Sequence, residues 1–347
     1  MQLYQRSWTR RELEARVGRI EQIAGIRRLY LAEGPERGVE QIQVRTGSGL
    51  AYTISPDRGL DISLAEFGGV PISWQAPNGD VHPAYYDDRG FNWLRTAAGG
   101  LLMTCGFTQA GNPGVDNGEE LGLHGRAHHT AARHVGVSAE WEGDEYVMRV
   151  RGVVEQTIIY GEFIRLTREI TSRLGSNRIS IVDHYDNIAF VPTPLMLLYH
   201  FNFGFPLLTE STQVSFPSRT VEPREAEHPI EGYDRWDAPD PAYDARVYLH
   251  KELVSDTKKW ASATVYNPEF PLPAGPNPIT VRLSWDTTTL PYLVQWRMAG
   301  AGTHVLGIEP LNCHINGREA SRENNMLVML EPGARYTCHL EVNINLA

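Results

Sequence analysis

The chain has 347 residues, 41% of them hydrophobic, and a formal charge of −10. That length buries a large core, and an acidic surface argues against nucleic acid or an anionic membrane as partner. No apolar run approaches the ~20 residues that a membrane-crossing helix needs, and no secretory leader is expected from Met1 to Ser7. Cys105, Cys313 and Cys338 are widely spaced and lack a CxxC pair. They read as free thiols of a reducing, cytoplasmic compartment, not as a disulfide frame or a zinc site.

The first predicted element is a helix. Thr9 and Glu12 make a capping box, Leu13, Val17, Ile20 and Ala24 recur on one face, and Gly25 can end it. This helix and a lead-in strand fill residues 1–47, and the helix is a candidate contact with a second copy in a homodimer. Strand signals dominate after that. Val147 to Val154 is β-rich. Phe163 to Arg173 and Arg178 to Tyr185 flank Gly175-Ser176-Asn177 and predict a hairpin. Leu290 to Met298, His304 to Ile308 and Met326 to Leu330 are short apolar strands. In the last strand Tyr336, Cys338, Leu340, Val342 and Ile344 alternate with polar residues. The pattern predicts an all-β chain folded as a large antiparallel sandwich, with 1–347 as a single domain. Two irregular stretches, Tyr85 to Glu120 and Pro217 to Tyr243, keep aromatics such as Trp93 and Trp236, and ordered loops of this kind often carry sites.

Three settings could carry chemistry. Leu123-His124-Gly125-Arg126 is followed by His128 and His129, both expected at the surface. The glycine there lets backbone come close to a ligand. Tyr199-His200-Phe201-Asn202-Phe203 sets an imidazole among aromatics, as a pocket stacking on a sugar ring would. In Gly307-Ile308-Glu309-Pro310 the proline should end the strand, placing Glu309 where strand passes into loop. Taken singly, a turn histidine, a core histidine and a carboxylate paired with Arg318 explain them equally well.

In that order, together with Asp57-Arg58-Gly59-Leu60-Asp61-Ile62 and Gly99-Gly100-Leu101-Leu102-Met103-Thr104-Cys105-Gly106, these motifs resemble the galactose mutarotases, or aldose 1-epimerases. The likeness runs from about Gly49 to the C-terminus. It implies a large antiparallel β-sandwich and a small sugar as partner, with no metal and no redox cofactor. It implies Glu309 as the base on the anomeric hydroxyl, His200 as the acid on the ring oxygen, and His124 as a second histidine supporting the developing charge. Arg126 stands where the family usually has a second glycine. Phe201, Asn202, Trp236 and Arg126 are candidate sugar contacts, Arg95 is the candidate pocket arginine, and Asp237, with Asp234 and Asp256, is a candidate for the sugar-binding aspartate.

Two other readings compete. His124, His128, His200, His314 and Glu309 have the chemistry of a divalent-metal site, which would turn the fold toward keto-sugar isomerisation, epimerisation or elimination. A protein that binds carbohydrate without turning it over could use Trp74, Phe107, Phe201 and Trp296 as platforms.

Overall fold

The computed structural model describes residues 1–346. Two large antiparallel sheets organise them. In the larger, the strands run from edge to edge as Ser218–Pro223, Arg246–Leu253, Tyr292–Gly300, Thr303–Leu311, Thr193–Gly204, Leu102–Phe107, Asp61–Phe67, Leu50–Ser55, Glu40–Arg45 and Gly25–Tyr30. In the smaller, the order is Arg133–Glu142, Glu145–Thr157, Phe163–Arg173, Arg178–Asn187, Arg335–Leu346, Gly275–Asp286, Trp260–Leu272 and Gln213–Ser215. Alternation explains which face each strand buries. In Arg335–Leu346, Cys338, Leu340, Val342 and Ile344 are buried while the residues between them are half-exposed.

The sheets stack face to face. Tyr199 and Phe201 of the larger join Tyr185, Trp285 and Leu340 of the smaller in one apolar core, and the Tyr185 and Tyr199 hydroxyls meet at 2.9 Å. A buried charged network threads this core. Arg168 donates to both Asp183 oxygens, at 2.9 and 2.6 Å, and to Asp61 Oδ1 at 3.0 Å. Asp61 also accepts from the Thr104 amide and hydroxyl and lies 2.7 Å from His128 Nδ1. A second apolar cluster, with Met103, Cys105, Met196, Leu198 and Cys313, lies on the other face of the larger sheet under its loops. All three cysteines are buried and free.

The N-terminal helix is shorter than its periodicity predicts. The Thr9/Glu12 capping box forms, but the helix covers only Arg10–Glu14, followed by a separate 3-10 turn at Ile20–Gln22. Gly18 falls in the gap, and a glycine weakens a helix interior by about 1 kcal/mol relative to alanine. Leu13 and Ala24 are buried in the core all the same. Among the described residues no helix is long and apolar enough to cross a membrane.

Candidate active site

A cleft of about 460 Å³ opens on the outer face of the larger sheet, against the second apolar cluster. His200 reaches it from the centre of Thr193–Gly204. Along that strand Leu197, Tyr199, Phe201 and Phe203 belong to the inter-sheet core, so Met196, Leu198 and His200 take the opposite face. Glu309 reaches the cleft from the neighbouring strand, with its Oε1 3.2 Å from His200 Nε2. Pro310 does not end that strand, which continues through Leu311. Instead, a gap opens in the ladder to Thr193–Gly204: Leu198 pairs with Leu311 and Phe201 with Ile308, while His200 and Glu309 fall between. A proline has no N–H to give the ladder, so the irregularity is local and Glu309 and His200 sit in it.

His124 enters from the loop side in a left-handed conformation, φ +56°. Its amide donates to the Gly111 carbonyl and its carbonyl accepts from the Gly106 amide. Gly125 is required there by other backbone, not by a ligand: a Cβ would lie 2.2 Å from the Gln109 carbonyl oxygen. The His124 ring packs edge-on against Trp93 at 5.0 Å and against His200 at 5.8 Å. Trp296 packs against His200 at 5.6 Å and Trp74 against Trp296 at 6.0 Å. Nδ1 of both His124 and His200 is buried without a protein partner.

Burial sets the protonation of the site. It pushes the Glu309 carboxyl up to about 8 and lowers His200 to about 4 and His124 to about 3, because a low-dielectric environment penalises each charged form.

The structure brings together Glu309, His200 and His124 and puts the other candidates elsewhere. Phe201 lies in the inter-sheet core, as does Phe107. The buried Asn202 amide donates to the Gly100 and His200 carbonyls and braces the strand. Trp236 is also a core residue, donating to His304 and lying under the Arg297 guanidinium. Asp237 pairs with Arg297 at 2.7 Å. Arg95 is exposed at the end of a 3-10 turn, and Arg126 pairs with Asp88 at the surface. Asp256 caps its own turn, accepting from the Lys258 and Trp260 amides, and Asp234 borders a different groove. Arg318 pairs with Asp116 and Glu119, not with Glu309.

His128 and His129 are not surface residues. His128 is buried between Asp61 and Arg58, whose Nη2 donates to its Nε2 at 2.8 Å. His129 stacks on Tyr86. With both His128 nitrogens engaged, it cannot join His124, His200 and Glu309 around a metal. Among the described residues no three His, Cys, Asp or Glu side chains converge on a metal site.

Sequence reasoning missed Arg224, which borders the cleft just beyond Ser218–Pro223. Its only signal was its place in an irregular stretch that keeps its aromatics. Beside Glu225 it reads as an ordinary surface ion pair.

This architecture, with two short α-helices among the described residues set against antiparallel sheets, is the galactose mutarotase-like sandwich. A candidate aldose 1-epimerase from Klebsiella pneumoniae superposes with a TM-score of 0.81 at 26% identity, over 92% of this chain and 83% of that one. A galactose mutarotase-like protein from Clostridium acetobutylicum gives 0.63 at 14%, over 94% and 100%. A galactose 1-epimerase from Lactobacillus acidophilus gives 0.59 at 10%, over 93% and 99%. The chain belongs to the family described as Domain of unknown function (DUF4432), whose sequence profile matches residues 36–344. No curated protein matches it.

Proposed function

We propose that the protein is a carbohydrate isomerase that opens and recloses the ring of a free monosaccharide, as aldose 1-epimerases do. The observation that carries this reading is the 3.2 Å approach of His200 to Glu309 in the floor of the cleft. The two oxygens of a hemiacetal share one carbon, so an acid and a base serving them must stand side by side. Glu309 as carboxylate takes the proton from the anomeric hydroxyl while His200 as imidazolium protonates the ring oxygen. The carbonyl π bond forms as the bond from the anomeric carbon to the ring oxygen breaks. Rotation about the adjacent carbon–carbon bond presents the other carbonyl face, and the same steps in reverse reclose the ring. His124 hydrogen-bonds the sugar beside the reacting carbon, and Trp74 and Trp296 supply the apolar wall for its ring.

The test is anomeric exchange, followed by NMR or polarimetry on a panel of freshly dissolved aldoses and ketoses. Glu309→Gln and His200→Asn should each reduce the enzyme-dependent rate by roughly 10²–10⁴. A panel in which no sugar equilibrates faster with protein than without it rules out mutarotation.

A further inference from the structure

Four strands of the larger sheet hold one register row across the cleft. Gly307 is opposite Trp296, Trp296 is opposite Val247, and the Arg224 amide donates to the Val247 carbonyl at 2.8 Å, continuing the row past Pro223. Trp296, Val247 and Arg224 all line the cleft, and Glu309 is two residues along from Gly307 on the same face. Three interstrand steps separate the Gly307 and Arg224 backbones, roughly 14 Å. Trp296 stands between Gly307 and Arg224 in this row.

The arginine's own contacts leave its working end open. Nε donates to Glu225 Oε1 at 2.5 Å, which fixes the plane of the guanidinium. Among the described residues neither terminal nitrogen has a hydrogen-bond partner. A guanidinium with Nε occupied still presents two parallel N–H groups end-on, the geometry that grips a carboxylate or phosphate. Among the described lining residues Arg224 is the one permanent charge. Its field reaches both Glu309 and His124.

From this row we infer that the cleft selects a monosaccharide bearing an anionic group away from its anomeric carbon, a carboxylate or a phosphate ester, held end-on by Arg224. The inference rests on the isomerase reading above and narrows its substrate class.

The experiment compares D-glucuronate, D-glucose 6-phosphate and D-glucose, the first two separating carboxylate from phosphate. At least one anionic sugar should exceed D-glucose in kcat/KM by about 10-fold or more. That ratio should fall about 10- to 100-fold in Arg224→Gln, as expected for a lost charge-assisted pair, with Arg224→Lys in between. Binding of the same sugars to the Glu309→Gln protein, read by ligand-detected NMR, keeps the subsite test independent of turnover. If anionic sugars bind through Arg224 but neither they nor any sugar of the panel above is turned over, the isomerase reading falls and the subsite stands. If D-glucose is turned over and bound as well as both anions, or the preference survives Arg224→Gln, the subsite is wrong and the isomerase reading stands. Failure of both anions to bind also overturns it.

Discussion

Glu309 and His200 are buried side by side, and burial acts on them in opposite directions. With the carboxyl raised to about 8 and the imidazole lowered to about 4, the pair holds a single proton across the intervening range, and in the empty cleft that proton belongs to Glu309. The proposed chemistry needs it on His200. Transfer across 3.2 Å converts one state into the other without recourse to solvent. Below about 4 both groups are protonated and the base is lost; above about 8 neither is, and the acid is lost. The enzyme-dependent kcat/KM should therefore trace a bell with limbs near those values, which belong to the pair rather than to either residue. A rate that stayed level from pH 7 to pH 10 would contradict this protonation scheme. The same shifts act on stability. A carboxyl raised in the folded state favours folding less and less as pH climbs from 4.5 to about 8, and an imidazole lowered in the folded state does so as pH falls from 6.5 to about 4.

At the scale of the element, the strand Thr303–Leu311 does most to shape the site. Gly307 precedes Glu309 by two residues, and a methyl there would lie 2.7 Å from Glu309 Oε1 and 3.1 Å from His200 Cε1. Gly307→Ala should push the pair out of alignment and lower kcat roughly 10²-fold, with the thermal midpoint moving by only a few degrees. Steady-state kinetics beside a melting curve checks it, and an unchanged kcat would show that the pair tolerates displacement. This strand also marks how far sequence alone could go. The alternation in Arg335–Leu346 and in the hairpin Phe163–Arg173/Arg178–Asn187 is visible because one face of each is core and the other faces solvent. Trp260–Leu272 and Gly275–Asp286 escape such reading because prolines 268, 271, 276 and 278 look like loop. The ladder skips Pro268 and Pro278 where its register shifts between Asn267 and Phe270, and it pairs Pro271 with Pro276 beyond the shift. Pro310 misleads in the same way. Glu309, His200 and His124 could be named from motif order, but Arg224 could not. Its role depends on a row of neighbours drawn from four strands that are distant in the chain.

At the scale of the molecule, the two sheets are joined by charge as well as by apolar packing. Arg168 of the smaller sheet is fully buried against Asp183 of its own sheet and Asp61 of the larger. In sequence the Asp57–Ile62 segment looks like a site motif, whereas Arg58 and Asp61 both turn inward to the network that includes His128. Removing one partner of a buried ion pair leaves the others uncompensated. Arg168→Met should therefore cost about 3–5 kcal/mol in urea unfolding, and a loss under about 1 kcal/mol would mean that the network contributes little to holding the sheets together.

The three cysteines give this architecture a way to report its own opening. Cys105 and Cys313 lie in the apolar layer beneath the cleft and Cys338 in the core between the sheets. Burial raises all three thiols, Cys313 and Cys338 to about 12, so almost no thiolate is present for an alkylating reagent to meet. Each becomes reactive only while its own layer is parted. Labelling at the first two thus times the loosening of the layer beneath the cleft, labelling at the third times separation of the sheets, and under the proposed function a bound sugar should slow the first two clocks more than the third.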